Sequence, residues 1–484
     1  MRLVYCTDFD YTLLDNIKNV RRPRGNNGTL SKKVYKELWC AFDIETTRID
    51  DDNSIMYVWQ FQLDDKCTII GRTWDEFKSF AKKLKRKLAG AWLVVYVHNL
   101  SYEFSFLKGI YNFDPEEVFC LNGRKVLKCD MYGALEFRCS YYQNNTSLAV
   151  FAKQWAKTQK ESGEEYNYNK TRYPWTPLTE EEIKYIQADV ISLVEAISAK
   201  ARYFGDTQIT IPLTATGYIR KTVKQKMRGG FNHNQLQELL PDAELTLKLV
   251  EAFRGGNTHA SRFYANQVLN NVGSFDISSA YPAAQVTELF PMTAWYKYKD
   301  PRSYTIEHVI DLMGSNKALL LEVTFYELGL KNLNGSTWGN PYISRHKCRD
   351  LVGGIYDNGR VLYAERLTTV VTDIDFKILL QEYQFSDIDI TFLAASTYKK
   401  LPSVLTDYTI ELFKKKTELK GVAGSEVEYR LSKERINSIY GMSVTNPLKE
   451  DVKYINGEFK KEALDFQARI EKENKKAFQS YAWG

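Results

Sequence analysis

The chain has 484 residues, 44% hydrophobic and 14% aromatic, which is apolar material for about two to four domains with real cores and excludes a disordered chain. Its 66 lysines and arginines against 60 acids leave a net charge of +6, a balance that permits nucleic acid as a partner without requiring it. Seven cysteines form no CxxC pair and five histidines no HExxH or Cys/His cluster, so neither a structural zinc nor a disulfide framework is expected, and a reducing compartment fits.

The first element in chain order is a short apolar strand, Leu3 to Cys6. The start MRLVYCTDFDYTLLDN is too acidic for a signal peptide, and no stretch approaches the roughly 18 apolar residues of a membrane span, so a cytoplasmic protein is expected. Asn16 to Glu37, rich in Arg, Lys, Asn and Gly, reads as an exposed basic linker, making residues 1–38 an N-terminal extension. From Trp39 to Phe204, apolar strands such as WCAFDIE and AWLVVYV alternate with amphipathic helices around Trp74–Leu88 and Glu180–Ala201, which is α/β organisation over residues 39–204. Residues 205–283 form a linker and the start of a second domain. Residues 284–407 mix short strands with Gly/Asn/Pro loops; one helical pattern runs from about Leu405 to Tyr440 and fills most of the next segment, 408–445. Residues 446–475 read as a charged hairpin followed by a helix or turn, and 476–484 as the start of a further segment.

The first chemistry lies in FDIETT. Asp43 and Glu45 alternate with Phe42 and Ile44 on the expected strand, so both carboxylates share one face and repel unless a cation sits between them. In VVYVHNLSYEFSFL a buried strand runs into a polar loop, and Glu103 sits among aromatic residues where an unpaired carboxylate is costly. Tyr185 and Asp189 lie four apart on the helix after LTEEE and project from one face. Four acids and a tyrosine are what two-metal phosphodiester hydrolysis needs, the acids to hold the cations and the hydroxyl to position water.

These three segments resemble, in order, the motifs of the DEDD-type 3′–5′ exonuclease domain of family B DNA polymerases, which implies an RNase H-like fold. The resemblance assigns Asp43, Glu45, Glu103 and Asp189 to metal and Tyr185 to catalysis. It assigns the frayed 3′ end of DNA to Thr46, Asn99, Tyr102, Ser147 and Leu148, with Lys160 as a catalytic-support lysine. Glu103 stands where the family normally has Asp, one methylene shorter, which is expected to affect rate more than identity.

In VGSFDISSAYPAAQ a strand is expected to deliver Asp276 to a tight turn, with Pro282 pre-setting the next helix and the backbone N–H groups of Ser278 and Ser279 turned to an anion. In SKERINSIYG, Lys433, Asn437 and Tyr440 fall on one helical stripe that Gly441 ends or loosens. Both strings resemble polymerase motifs of the same family. That implies a metal at Asp276, a Tyr281 ring beneath the incoming deoxyribose, and dNTP contacts at Lys433, Asn437 and Tyr440. FRGGNTH just upstream resembles the YxGG-type motif of the protein-primed branch, with Phe253 in place of Tyr. It implies template contact at Arg254, Gly255 and Gly256; an earlier RGG, Arg228 to Gly230, lies too far from Asp276. By position, 284–407 matches the insertion that meets the priming protein, and 446–475 a second one linked to strand displacement. Lys414 to Lys416, Lys416 above all, could line the DNA path, although such a run is more often a solvated helix face.

The expected protein is a protein-primed family B DNA polymerase of phages or plasmids, an α/β and α+β multidomain chain in which an RNase H-like proofreading exonuclease precedes a partial palm (starting in 205–283 and resuming at 476–484) and fingers (408–445) with insertions. It would use Mg2+ or Mn2+, dNTPs, a primer–template and a terminal protein, in a host cytoplasm. The sequence stops at Gly484, ahead of the family's YxDTDS motif and thumb, which leaves two expectations: a split polymerase whose polymerisation needs a second chain, or a product shortened by a stop, intron or recoded codon. The rival expectations are a standalone exonuclease with a vestigial polymerase half, and a non-catalytic scaffold for DNA or the priming protein. CTDFDYTLLD, with Asp8, Asp10 and Thr12, resembles the DxDxT motif of haloacid dehalogenase-like phosphatases, but the residues after it leave no room for that fold.

Overall fold

The computed structural model describes residues 2–22, 32–123, 125–159, 170–226, 239–258, 260, 264–333, 336–337, 339–443, 452–461, 468 and 470–471. They fall into two compact units, one built from the chain up to Thr222 with Lys449–Leu464, the other from Val223–Leu448.

The first unit is a mixed sheet with helices on both faces. Its strands are β1 (Arg2–Tyr5), β2 (Asn19–Arg21), β3 (Val34–Lys36), β4 (Cys40–Arg48), β5 (Ser54–Leu63), β6 (Cys67–Gly71), β7 (Ala91–Val97), β8 (Val118–Cys120), β9 (Val126–Met131) and β10 (Leu135–Cys139). They are ordered β1-β6-β5-β4-β7-β10-β9-β8, and β4, β7 and β10 run parallel. Period-two alternation sets the two faces. Phe42 and Ile44 of β4 enter one core with helix α1 (Trp74–Leu88) and helix α2 (Leu100–Leu107), while Ala41 enters the other beneath the helix Glu180–Tyr203. Helix α1 follows from its sequence. Thr73 and Glu76 make a reciprocal capping box, and Phe77, Phe80, Ala81, Leu84 and Leu88 repeat at helical spacing on the buried side. Each such Phe or Leu contributes about 1.5–3 kcal/mol through burial.

The N-terminal residues differ from the linker expectation. β1 extends the sheet parallel to β6, and β3 pairs with both β2 and β7, burying Tyr35 and Leu38. Apolar Leu3, Val4, Val34 and Tyr35 supply sheet partners that the basic composition hid. Residues 23–31 of that stretch lie outside the described residues.

Tyr35 belongs to a buried polar network. Its hydroxyl donates to Glu136 Oε2 at 2.8 Å, Arg138 Nε donates to Glu136 Oε1 at 2.8 Å, and Lys33 and Arg22 approach at 3.3 and 3.1 Å. Burial alone would raise the Glu136 carboxyl, but Arg138, Lys128 and Lys33 outweigh it and hold it well below the usual range.

The second unit carries β11 (Phe290–Pro291), β12 (Tyr296–Lys297), β13 (Lys317–Leu330), β14 (Asn332–Leu333), β15 (Ser336–Thr337), β16 (Cys348–Val352), β17 (Ile355–Asp357), β18 (Arg360–Thr372), β19 (Tyr383–Gln384) and β20 (Asp387–Lys399). The sheet order is β11-β20-β13-β18-β16. The expectation of short strands over 284–407 is corrected here: β13, β18 and β20 run 13 or 14 residues. The opening run of β13, ALLL, is apolar on both faces because both are covered there, while farther along the second face carries Glu322 and Thr324. Leu319, Leu321, Val323 and Phe325 meet Val309, Phe376 and Leu379, while Leu320 meets Leu245 and Ala252 of the helix Ala243–Ala252.

The single helical pattern from Leu405 to Tyr440 is also corrected. It is two helices, Ser403–Glu418 and Glu426–Ser443, packed together, and the turn between them takes positive φ at Gly421 (77°) and Gly424 (80°). No described helix is long and apolar enough to cross a membrane.

Candidate active site

Strand β4 brings Asp43 and Glu45 to the face covered by the helix Glu180–Tyr203, and that helix brings Asp189. Carboxylate oxygens of the three lie within 4.8 Å of one another, the one group of three or more potential metal ligands among the described residues. Asp189 is 2% exposed and Tyr185, one turn earlier, is buried against Tyr57 and Val58. From the end of β7, Asn99 takes a left-handed conformation (φ 74°) and opens α2, whose first turn carries Glu103. Glu103 is buried, and its Oε2 accepts no hydrogen bond. Burial first, and then the neighbouring Asp43 carboxylate, push the Glu103 carboxyl well above its ordinary value. Four converging acids with a buried, unsatisfied oxygen are destabilising as they stand, and they fit a divalent cation that would neutralise them.

The cover helix is fixed at its N-terminus. Thr179 and Glu182 form a capping box, and Glu182 Oε1 also accepts from Arg172 Nε at 2.7 Å and Lys170 Nζ at 3.0 Å. Arg172 N–H donates to Thr47 Oγ1 at 3.0 Å, which ties this loop to β4 two residues past Glu45. Arg172 and Glu182 were missed in the sequence. The capping-box string at Thr179 was the available signal, but the arginine ten residues away from its partner had none. A cleft of about 310 Å³, lined by Thr47, Arg48, Lys170 and Thr171 among others, opens beside this tie.

The expected DNA contacts divide. Thr46 Oγ1 and Tyr102 OH are hydrogen-bonded at 2.6 Å beside the acids, and Asn99 is exposed at the mouth of α2. Ser147 is exposed and caps the helix Leu148–Trp155 by accepting from Val150 N–H, and Leu148 sits in the core. Lys160 lies outside the described residues.

In the second unit, the segment expected to be a strand at Asp276 has no sheet partner. Asp276 is exposed, flanked by Phe275 at 97% and Ile277 at 73% exposure, and the strand expectation is corrected because nothing described pairs with this backbone. Ser279 then turns left-handed (φ 55°) into the helix Ala280–Thr287, with Pro282 in its first turn. That helix meets the two longer helices. Tyr281 stacks on Tyr440 with centroids 4.1 Å apart and planes at 15°, Lys416 Nζ donates to Ser279 Oγ at 2.8 Å, and Gln285 Nε2 donates to Ser443 Oγ at 3.1 Å. Lys433 and Asn437 are exposed on the same stripe as Tyr440, while Ile436 and Ile439 face inward. Arg254 is partly engaged, with its Nε and Nη1 making no hydrogen bond. Its Nη2 donates to Thr369 Oγ1 and Val370 O at 3.2 and 3.1 Å, and Asp375 lies 3.6 Å from its Nε, while Gly255 and Gly256 of that motif are exposed.

Residues 117–481 match the family described as DNA polymerase type B, organellar and viral. The fold is similar to that of Phi29 DNA polymerase complexed with primer-template DNA and incoming nucleotide substrates, and of the same enzyme complexed with single-stranded DNA. For each the identity is 17%, the TM-score 0.64, and the match covers 88% of this chain and 72% of the other. An orthorhombic crystal form of Phi29 DNA polymerase matches with 16% identity and a TM-score of 0.62, over 92% and 76% of the two chains. No curated protein matches the sequence.

Proposed function

This chain belongs to the organellar and viral type B DNA polymerases, DNA-directed nucleotidyltransferases that depend on divalent metal, and from that premise we propose that its first unit is a 3′–5′ proofreading exonuclease. The observation that carries the reading is the convergence of Asp43, Glu45 and Asp189 within 4.8 Å, with buried Glu103 beside Asp43. Mg2+ or Mn2+ held by these acids would supply charge neutralisation at the scissile phosphate and an acidified water. The chain's own part is positioning. Tyr185 holds the water's place from the face of the Asp189 helix. Thr46 and Tyr102, already joined, and Asn99 receive the last nucleotides of a single-stranded 3′ end.

The second unit is proposed to bind the incoming dNTP, with Lys433 at the triphosphate, Tyr281 beneath the sugar, Tyr440 and Asn437 by the nascent base pair, and Lys416 and Gly255–Gly256 along the DNA. Asp276 is proposed as its metal acid. Within 284–407, the sheet of β11 to β20 is proposed as the docking surface for a priming terminal protein.

The test is 5′-labelled single-stranded DNA incubated with Mg2+ and the full chain. Stepwise shortening that vanishes in Asp43→Ala is expected; shortening that survives in Asp43→Ala would overturn the exonuclease reading.

A further inference from the structure

Resting on the exonuclease reading, the structure assigns a positioning role to a segment far from the acids in sequence: the hairpin Val452–Ile455/Glu458–Lys461. It returns to the first unit and inserts two rings against α2. Tyr454, 3% exposed, meets Phe104 edge to face at 5.3 Å, and Phe459 meets Phe104 at 5.9 Å and Tyr454 at 5.2 Å. Phe113 completes the cluster, 5.0 Å from Phe104 and 6.4 Å from Tyr454. Cys120 Sγ donates to Val452 O at 3.2 Å, and Phe459 lies against Gly123, where a Cβ would stand 3.5 Å from its ring-bearing carbon.

Phe104 is the residue after Glu103 on an eight-residue helix. The helix is too short to hold itself, since isolated helices below about 12 residues are marginal, so its pitch and rotation come from what it packs on. Leu100 and Leu107 rest on the sheet, and Phe104 rests on the hairpin rings. Neighbouring residues of a helix cannot move independently, so the rings that fix Phe104 also fix where Glu103 meets Asp43. We propose that Tyr454 and Phe459 are positioning residues for Glu103, and that the hairpin is required to complete the exonuclease metal site.

The full chain carrying Tyr454→Ala, Tyr454→Leu, Tyr454→Phe or Phe459→Ala is assayed for mononucleotide release from a short single-stranded oligonucleotide. Mn2+ affinity without DNA is measured by calorimetry, and Asp43→Ala serves as the reference. Misplacing a catalytic group by about 1 Å costs about 100-fold in rate. A 10- to 100-fold fall in kcat with unchanged KM is therefore expected in Tyr454→Ala, on the order of that estimate. Weaker Mn2+ binding should accompany it, and Tyr454→Phe, which keeps the ring, should recover both. If Tyr454→Ala does not fold, Tyr454→Leu and Phe459→Ala carry the same test. Wild-type kcat and Mn2+ affinity in the folded ring-deletion variants would overturn the proposal. Nuclease activity that survives Asp43→Ala would instead overturn the exonuclease reading beneath it.

Discussion

Asp43 and Asp276 sit in almost the same words, FDIE and FDIS, and end up in opposite surroundings. Around Asp43 the alternation is fully used: Phe42 and Ile44 are 0% and 5% exposed, strands pair on both sides, and a 24-residue helix lies over the carboxylate face. Around Asp276 the flanking Phe and Ile are almost wholly in solvent, and the backbone has no described partner. The same tripeptide pattern thus makes a site only where neighbours close both edges and a cover supplies the remaining acids. What the second unit has organised is the set proposed to meet the nucleotide and DNA, the Tyr281–Tyr440 stack and the Lys416–Ser279 hydrogen bond on three helices.

If packing is what separates the two, the largest effect should come from the scaffold of the first. Arg138→Met leaves Glu136 buried without its main partner and should cost about 3–5 kcal/mol, read from denaturant unfolding of the full chain. The pH dependence has a definite sign. The folded Glu136 carboxyl lies below its unfolded value of about 4.3, so its stabilisation is complete above that pH and drains away as pH falls through the folded value. Glu136→Gln should therefore be destabilised relative to wild type at pH 7, and the gap should narrow steadily below about pH 4. A gap independent of pH would show that Glu136 titrates normally.

Next comes the assembled site. Asp189→Asn should slow release of nucleotides by about two to three orders of magnitude, or about 3–4 kcal/mol, with little change in single-strand affinity. Asp276→Asn should leave that rate unchanged, and a fall there would break the separation of the two sites. Smaller again, Lys433→Ala should weaken dNTP binding by about 1.5–3 kcal/mol, the worth of a charge-assisted contact, measured by titrating the protein's tyrosine and tryptophan fluorescence. Smallest, Ser147→Ala should cost about 1 kcal/mol of stability as a lost helix cap, while Ser147→Asp, which keeps the cap, should be near neutral. Lost DNA affinity at wild-type stability in Ser147→Asn, which also keeps a cap and adds no charge, would show that the residue contacts DNA besides capping.

How far the sequence could be read followed the range of the signal. Asp43 and Glu45 were legible because strand alternation is local, and Tyr185 with Asp189 because four residues make a helical turn. Glu103 was legible because an acid among aromatic residues is costly without a partner. Three things were not. The parallel pairing of β1 with β6 joins residues 65 apart along the chain, and no local pattern announces a partner (Arg2 with Cys67). The Arg172–Glu182 tie needs the fold before the two meet. The break between the helices ending at Glu418 and beginning at Glu426 was written in Gly421 and Gly424, but apolar spacing on either side ran on as though continuous.

The hairpin that packs on Phe104 also sets a timetable for synthesis. The chain up to Thr222 leaves the ribosome long before Tyr454 is translated, so the aromatic cluster around Phe104 and Phe113 waits with an open side while the whole second unit is made. At about 5–20 residues per second, the more than 200 intervening residues take on the order of 10–50 seconds. During that interval the nascent first unit exposes apolar rings, and contacts of such long sequence separation are slow to form. Chaperone dependence in cells and slow recovery from denaturant should therefore both be relieved when the hairpin is supplied early, for instance by circular permutation.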